Sequence, residues 1–163
     1  MKLHNSLGID IGSTTVKIAV LDSDNHILFA DYERHYANIQ ETLALLLSRA
    51  KEKLGEMTVR ASITGSGGLT LSRHLNIPFT QEVVAVATAL QAYAPQTDVA
   101  IELGGEDAKI IYFTGGIDQR MNGICAGGTG SFIDQMASLL QTDASGLNDY
   151  AKHYQMICPI AAW

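Results

Sequence analysis

The sequence is poor in cysteine, proline and tryptophan, and each shortage removes a class of protein. Its 163 residues include two cysteines, three prolines and one tryptophan. Cys125 and Cys158 stand 33 positions apart with no CxxC pair, so one chain supports neither a disulfide framework nor a self-contained zinc or four-thiolate site. No stretch approaches the roughly 20 apolar residues of a membrane-spanning helix. The N-terminus also lacks the charged-then-apolar layout of a signal peptide. The expectation is a cytoplasmic chain with no membrane partner. Positive charge is scarce as well: 11 Lys and Arg against 17 Asp and Glu give a net charge of −6. Without a basic, aromatic-laced surface to grip phosphate backbones, nucleic acid is excluded as a partner.

What remains is the mix of a folded protein, 47% hydrophobic and 17% charged, with length for a domain of ordinary size. "SLGIDIGSTTVKIAVLDSDNHILFADYERHY" reads as two β-rich runs bridged by Gly12-Ser13-Thr14-Thr15 and a third run after the turn Asp22-Ser23-Asp24-Asn25, an antiparallel meander. Asn38 with Glu41 three residues on is a capping-box signature. Ile39, Leu43, Leu46, Leu47, Ala50 and Leu54 follow at helical spacing until Gly55, predicting a helix over one face of the meander. "TVRASITG" predicts a short buried strand, "LTLSRHL" a short helix, and "EVVAVATALQAYA" a helix that stops at Pro95. Strands alternating with helices argue an α/β fold.

An internal repeat is the most informative feature. "GIDIGSTTVKIAVL" aligns without gaps on "AIELGGEDAKIIYF" at a constant offset of 92. Asp10 then pairs with Glu102, Gly12 with Gly104, Lys17 with Lys109 and Ile18 with Ile110. Each copy reads as apolar strand, acid, glycine turn and lysine on the returning strand. "IYFTGGIDQRMN" then repeats the meander's third strand. Two hairpins with glycine turns arise by coincidence too, but acid, glycine and lysine in one register favour duplication.

A tight turn of Gly, Ser and Thr gathers backbone N–H groups and hydroxyls into a nest for phosphate oxygens. Taken singly, each turn also reads as a solvent-facing loop. In the pair, Gly12, Ser13, Thr14 and Thr15 in the first copy and Gly104 and Gly105 in the second become candidate phosphate binders. A carboxylate beside phosphate is repelled unless a cation stands between them, so Asp10 and Glu102 imply Mg²⁺, with Asp10 reaching it through water. Two such hairpins facing one another would clamp a polyphosphate. Lys17 and Lys109 suit phosphate neutralisation, although a lysine on a strand's polar face is the commoner explanation.

These hairpins resemble the first and second phosphate motifs of the superfamily that unites sugar kinases, actin and heat-shock chaperone ATPases. That resemblance implies ATP as ligand and two ribonuclease H-like lobes: a first, mixed-sheet lobe over residues 1–95 and the beginning of a second over 96–163. More narrowly, "MNGICAGGTGSFIDQMA" is similar to the cysteine-bearing segment of the 2-hydroxyacyl-CoA dehydratase activators and the benzoyl-CoA reductase ATPase subunits. Relatives carry a Gln-Asp pair where this chain has Glu106 and Asp107, which implies that Glu106 orients the attacking water and Asp107 lines the nucleotide site. Two exposed turn acids are the plainer reading of the same residues. The glycine-rich loop Thr64-Gly65-Ser66-Gly67-Gly68 matches a family loop near the nucleotide or cluster, though by itself it is more often a flexible connection.

On composition alone Cys125 is a buried core thiol. Gly127, Gly128 and Gly130 let the backbone pass close to a large object, and Phe132, Ile133, Met136, Leu139 and Leu140 form one apolar face of the helix that follows. Cys125 therefore precedes a helix N-terminus, whose unpaired N–H groups suit a thiolate. The resemblance implies a [4Fe-4S] cluster bridging a homodimer, with Cys125 as one ligand from each chain. The family's second ligand, in "PIAAxC", and its adenosine glycine motif would lie after Trp163, so the chain is expected to be the first part of a longer protein. Cys158 reads as an ordinary thiol. The five histidines show no ligand spacing.

The resemblance implies an ATP-dependent activator. Reduced by a ferredoxin or flavodoxin, it hydrolyses Mg-ATP and passes a low-potential electron to an acyl-CoA dehydratase or reductase. The alternatives are a sugar-kinase-type phosphotransferase using the same hairpins and an actin-like or chaperone-like switch. In neither does Cys125 have a purpose.

Overall fold

A computed structural model describes residues 4–121 and 129–157. The chain divides into two compact units, Met1–Thr97 and Asp98–Trp163.

In the first unit, β1 (Asn5–Ile11), β2 (Thr15–Leu21) and β3 (Ile27–Arg34) form the meander, α1 (Ile39–Leu54) follows, and β4 (Val59–Thr64) returns beside β1. The sheet order is β3-β2-β1-β4, antiparallel except for the parallel pair of β1 and β4. A parallel neighbour needs a crossover, and α1 supplies it. Period-2 alternation decides which side chains face α1: Leu7, Ile9 and Ile11 from β1, and Val16, Ile18 and Val20 from β2, all buried. Leu43, Leu46 and Ala50 of α1 close this core. Complete burial of Leu46 contributes about 2–3 kcal/mol by area. At the sheet edge Arg49 holds Asp31 and Glu33, each at 3.1 Å, clipping α1 to β3. Gly55 at φ 75° ends the helix, where its N–H bonds the Lys51 carbonyl.

The capping box does not form as expected. Asn38 precedes α1, but its side chain makes no bond to a helix N–H; its amide donates instead to Glu41 Oε2 at 2.5 Å. Glu41 competes as acceptor for the one side chain that would have capped the turn.

Two short helices, α2 (Gly68–Leu75) and α3 (Glu82–Tyr93), complete this unit. The other sheet face carries the small residues Gly8, Ala19 and Ala30, and together with α3 it borders a groove of about 980 Å³.

The second unit holds β5 (Val99–Leu103), β6 (Ala108–Tyr112) and β7 (Asp118–Met121), an antiparallel sheet in that order, then α4 (Gly130–Leu139) and α5 (Ala144–Ala151). Ile111 and Ala137 are its buried apolar side chains among the described residues. Asp143 caps α5, accepting from the Gly146 N–H at 2.8 Å. On the apolar face expected on α4, Leu139 is 74% and Leu140 55% exposed. Among the described residues no helix is long and apolar enough to cross a membrane.

Candidate functional site

The two hairpins correspond residue by residue. In the first, Asp10 lies opposite Lys17 and Ile9 opposite Ile18; in the second, Glu102 lies opposite Lys109 and Ile101 opposite Ile110. The offset of 92 in sequence is thus an identical register in space. A one-residue slip would have turned the acid to the other face of its sheet.

In the first unit, Gly12 N–H donates to the Thr15 carbonyl at 2.9 Å and closes the turn over Ser13 and Thr14. A Cβ at Gly12 would stand 3.3 Å from that carbonyl, so the turn is tightest where the glycine sits. Lys17 Nζ bonds Asp10 Oδ2 at 2.8 Å. The expectation that Lys17 and Lys109 neutralise phosphate acquires a second partner in each case, namely the acid across the hairpin. His35, absent from the sequence-based candidates, ties the end of β3 to the turn: its N–H donates to the Thr14 carbonyl at 3.2 Å, and Nε2 lies 3.3 Å from the Gly12 oxygen. It is 23 residues from Gly12, and only the pairing of β3 with β2 brings it close, so no local spacing betrays it.

The glycine-rich loop after β4 is more than a connection. Gly65 has φ 96°, and a Cβ there would fall 2.3 Å from the Ile11 oxygen and 2.5 Å from Asp10 Oδ1. Gly67 N–H bonds the Ile11 carbonyl at 2.9 Å, and Ser66 N–H bonds Glu82 Oε1 at 3.1 Å. The loop is thus laid directly over the end of β1, against the carboxylate. There Asp10 Oδ1 and Thr64 Oγ1 are buried and have no hydrogen-bond partner. Buried polar atoms are almost always satisfied, so two orphans on paired residues of neighbouring strands mark a place for an additional ligand atom or water. A hard oxygen donor beside a hydroxyl suits Mg²⁺ approached through its water shell.

In the second unit Lys109, its side chain only 10% exposed, stands 3.7 Å from Glu102 Oε1 and 3.3 Å from Asp107 Oδ2. Asp107 folds back over Gly104, where a Cβ would meet its Oδ1 at 2.3 Å. Glu106 is exposed. The structure therefore gathers Glu102, Gly104, Asp107 and Lys109 and leaves Glu106 at the tip.

One expectation about α4 needs correction. Its first two N–H groups are already engaged: Gly130 N–H donates to the Gly104 carbonyl at 2.7 Å and Ser131 N–H to the Gly105 carbonyl at 3.2 Å. The glycine turn presents carbonyls to the helix end, and these satisfy two of its orphan donors. Cys125 and Cys158 lie outside the described residues.

Comparison with known proteins identifies relatives of the chain. Over 147 residues the chain is 29% identical to the (R)-2-hydroxyglutaryl-CoA dehydratase activating ATPase of Acidaminococcus fermentans, covering 87% of this chain and 56% of that protein. The crystal structure of that organism's (R)-2-hydroxyglutaryl-CoA dehydratase component A aligns with a TM-score of 0.83 at 25% identity, over 98% of this chain and 62% of the other. The Clostridium difficile activator of 2-hydroxyisocaproyl-CoA dehydratase with bound ADPNP aligns with a TM-score of 0.81 at 26% identity, over 97% and 60%. The chain thus spans about three-fifths of the length of these relatives. The fold is the α/β, mixed-sheet fold of actin-like ATPases. The model of the BadF/BadG/BcrA/BcrD ATPase family matches residues 7–155, and the chain belongs to that family.

Proposed function

We propose that this chain forms the phosphate-binding part of an ATP-dependent activator of a 2-hydroxyacyl-CoA dehydratase or a related acyl-CoA reductase. The observation that carries this reading is the pair of acid–glycine–lysine hairpins in one register. The family match and the ADPNP bound by the related activator support it. The first unit is the first ribonuclease H-like lobe, and the second unit begins the other.

In this reading the Gly12–Thr15 and Gly104–Gly105 turns bind the phosphates with backbone N–H groups. Asp10 holds Mg²⁺ through water, and Glu102 occupies the corresponding place in the second hairpin. Lys17 pairs with Asp10, and Lys109 with Glu102, across the two hairpins. Glu106 orients a water for in-line attack on the γ-phosphorus, with ADP as the leaving group. The α4 start, bonded to the Gly104 and Gly105 carbonyls, follows any movement of that turn. A [4Fe-4S] cluster, when bound, supplies a one-electron carrier. Cys125 from each of two protomers would hold part of it. A ferredoxin or flavodoxin is the reductant.

Titration calorimetry with Mg-ADPNP tests the nucleotide site. Asp10→Asn and Glu102→Gln should each weaken binding tenfold or more, about 1.4 kcal/mol, and unchanged affinity in both would overturn the reading. Cys125→Ala should abolish electron delivery to the partner while ATP hydrolysis persists. An activity indifferent to Cys125 would favour the sugar-kinase alternative.

A further inference from the structure

We infer that Thr64 is a positioning residue for the divalent cation: its hydroxyl and Asp10 Oδ1 jointly hold one water of the cation's shell. The inference rests on the reading of Asp10 as the cation-bearing acid and adds a residue to it.

Asp10 and Thr64 are register partners in the parallel β1–β4 pair, so their side chains leave the same face of the sheet. Asp10 Oδ2 is engaged by Lys17, whereas Oδ1 is buried without a partner, as is Thr64 Oγ1. No direct hydrogen bond joins the two orphans, so each needs a third atom. The other serine and threonine hydroxyls bordering the same groove are already committed. Ser62 and Thr80 lie 3.0 Å apart in a mutual bond, and Thr88 donates to the Val84 carbonyl at 2.7 Å. Thr64 alone of these four is left with capacity toward the carboxylate.

The surroundings fix the choice of ligand atom. Gly65 keeps the wall over Asp10 within 2.5 Å of where a Cβ would stand, leaving no place there for a bulky group. A water that accepts from the Thr64 hydroxyl, donates to Asp10 Oδ1 and offers its remaining lone pair to Mg²⁺ satisfies both orphans at once. Mg²⁺ keeps several of its waters, and a protein holds it largely by orienting them.

The test is Mn²⁺ binding in the presence of ADP, followed by electron paramagnetic resonance, in the wild type and in Thr64→Val, Thr64→Ser, Asp10→Asn and the Thr64→Val/Asp10→Asn double variant. Thr64→Val keeps the shape and deletes the hydroxyl. It should weaken Mn²⁺ about tenfold, the size of one hydrogen bond to a charged group, without lowering the melting temperature. Thr64→Ser should stay within twofold of wild type, ADP affinity in EDTA should be the same in all variants, and Thr64→Val should have no further effect in the Asp10→Asn background. If Asp10→Asn weakens Mn²⁺ and Thr64→Val does not, this inference falls and the nucleotide reading stands. If Asp10→Asn itself has no effect, the underlying reading fails. Equal losses in Thr64→Val and Thr64→Ser would assign the effect to packing and overturn the role of the hydroxyl. Should Thr64→Val not fold, Thr64→Ala takes its place with the same expected outcomes.

Discussion

Gly65→Ala gives the sharpest test of how the first hairpin is built. At φ 96° an L-residue pays a backbone cost of about 1–2 kcal/mol. The new Cβ would also fall 2.3 Å from the Ile11 oxygen and 2.5 Å from Asp10 Oδ1. The nearer obstacle is backbone, which no rotamer change relieves, so the loop must lift away from β1. Overpacking of this kind costs about 1–3 kcal/mol, for a total of about 2–5 kcal/mol. Lifting the loop also strains the 2.9 Å bond from Gly67 N–H to the same Ile11 carbonyl. Gly55→Ala separates the two terms, because Gly55 has φ 75° but nothing within 4 Å of its would-be Cβ. That control should lose only the backbone part. Urea unfolding followed by far-UV circular dichroism measures both variants. In a unit of this size, each kcal/mol corresponds to about 4–8 °C in Tm, so Gly65→Ala should melt at least about 8 °C below wild type. Losses that agree within about 0.5 kcal/mol would refute the close approach of the loop to Asp10.

Three further outcomes are expected. Lys109→Met should destabilise the chain by about 2 kcal/mol or more in urea, since it leaves Glu102 and Asp107 without their shared, largely buried cation. Lys17→Met, at a half-exposed lysine, should lose less than about 1 kcal/mol; equal losses would contradict this difference in burial. The backbone N–H of His26, together with the His26 ring and the Asp24 N–H, holds the Asp22 carboxyl below its ordinary range. A depressed folded-state value means a stabilising contribution that is complete above about pH 4 and lost as pH falls through the folded value. NMR titration should find Asp22 below the ordinary carboxylate midpoint; a normal midpoint would remove this turn from the acid limb. Leu46→Ala should lose about 2–5 kcal/mol and its half-exposed neighbour Leu45→Ala under about 0.5 kcal/mol, read from the same urea midpoints.

Periodicity made the first unit largely legible. The β-rich runs and the helical spacing of Leu43 and Leu46 foretold a helix over the meander, and the structure buries the alternate residues of "LGIDI" and "VKIAVL" against it. The aligned acid and lysine of each hairpin were readable because a gapless offset carries register with it. What sequence did not reveal depends on separations that no local pattern encodes. His35 reaches Gly12 only through strand pairing, and Thr64 reaches Asp10 only through a parallel crossover. The N-terminus of α4 was misjudged for a related reason. Its donors meet carbonyls from a turn 26 residues earlier, and backbone acceptors have no residue signature. The Asn38 cap was misread because Asn offers a donor as well as an acceptor.

The mooring of α4 to the second glycine turn is made entirely of main-chain atoms, and that determines how it is to be found genetically. Truncating neighbouring side chains leaves both N–H groups and both carbonyls in place, so an alanine scan passes over the joint in silence. Gly130 is the exception: there a single added carbon, 3.0 Å from the Gly104 oxygen, prises the joint open. The position whose enlargement reaches this joint is therefore one that has no side chain to lose.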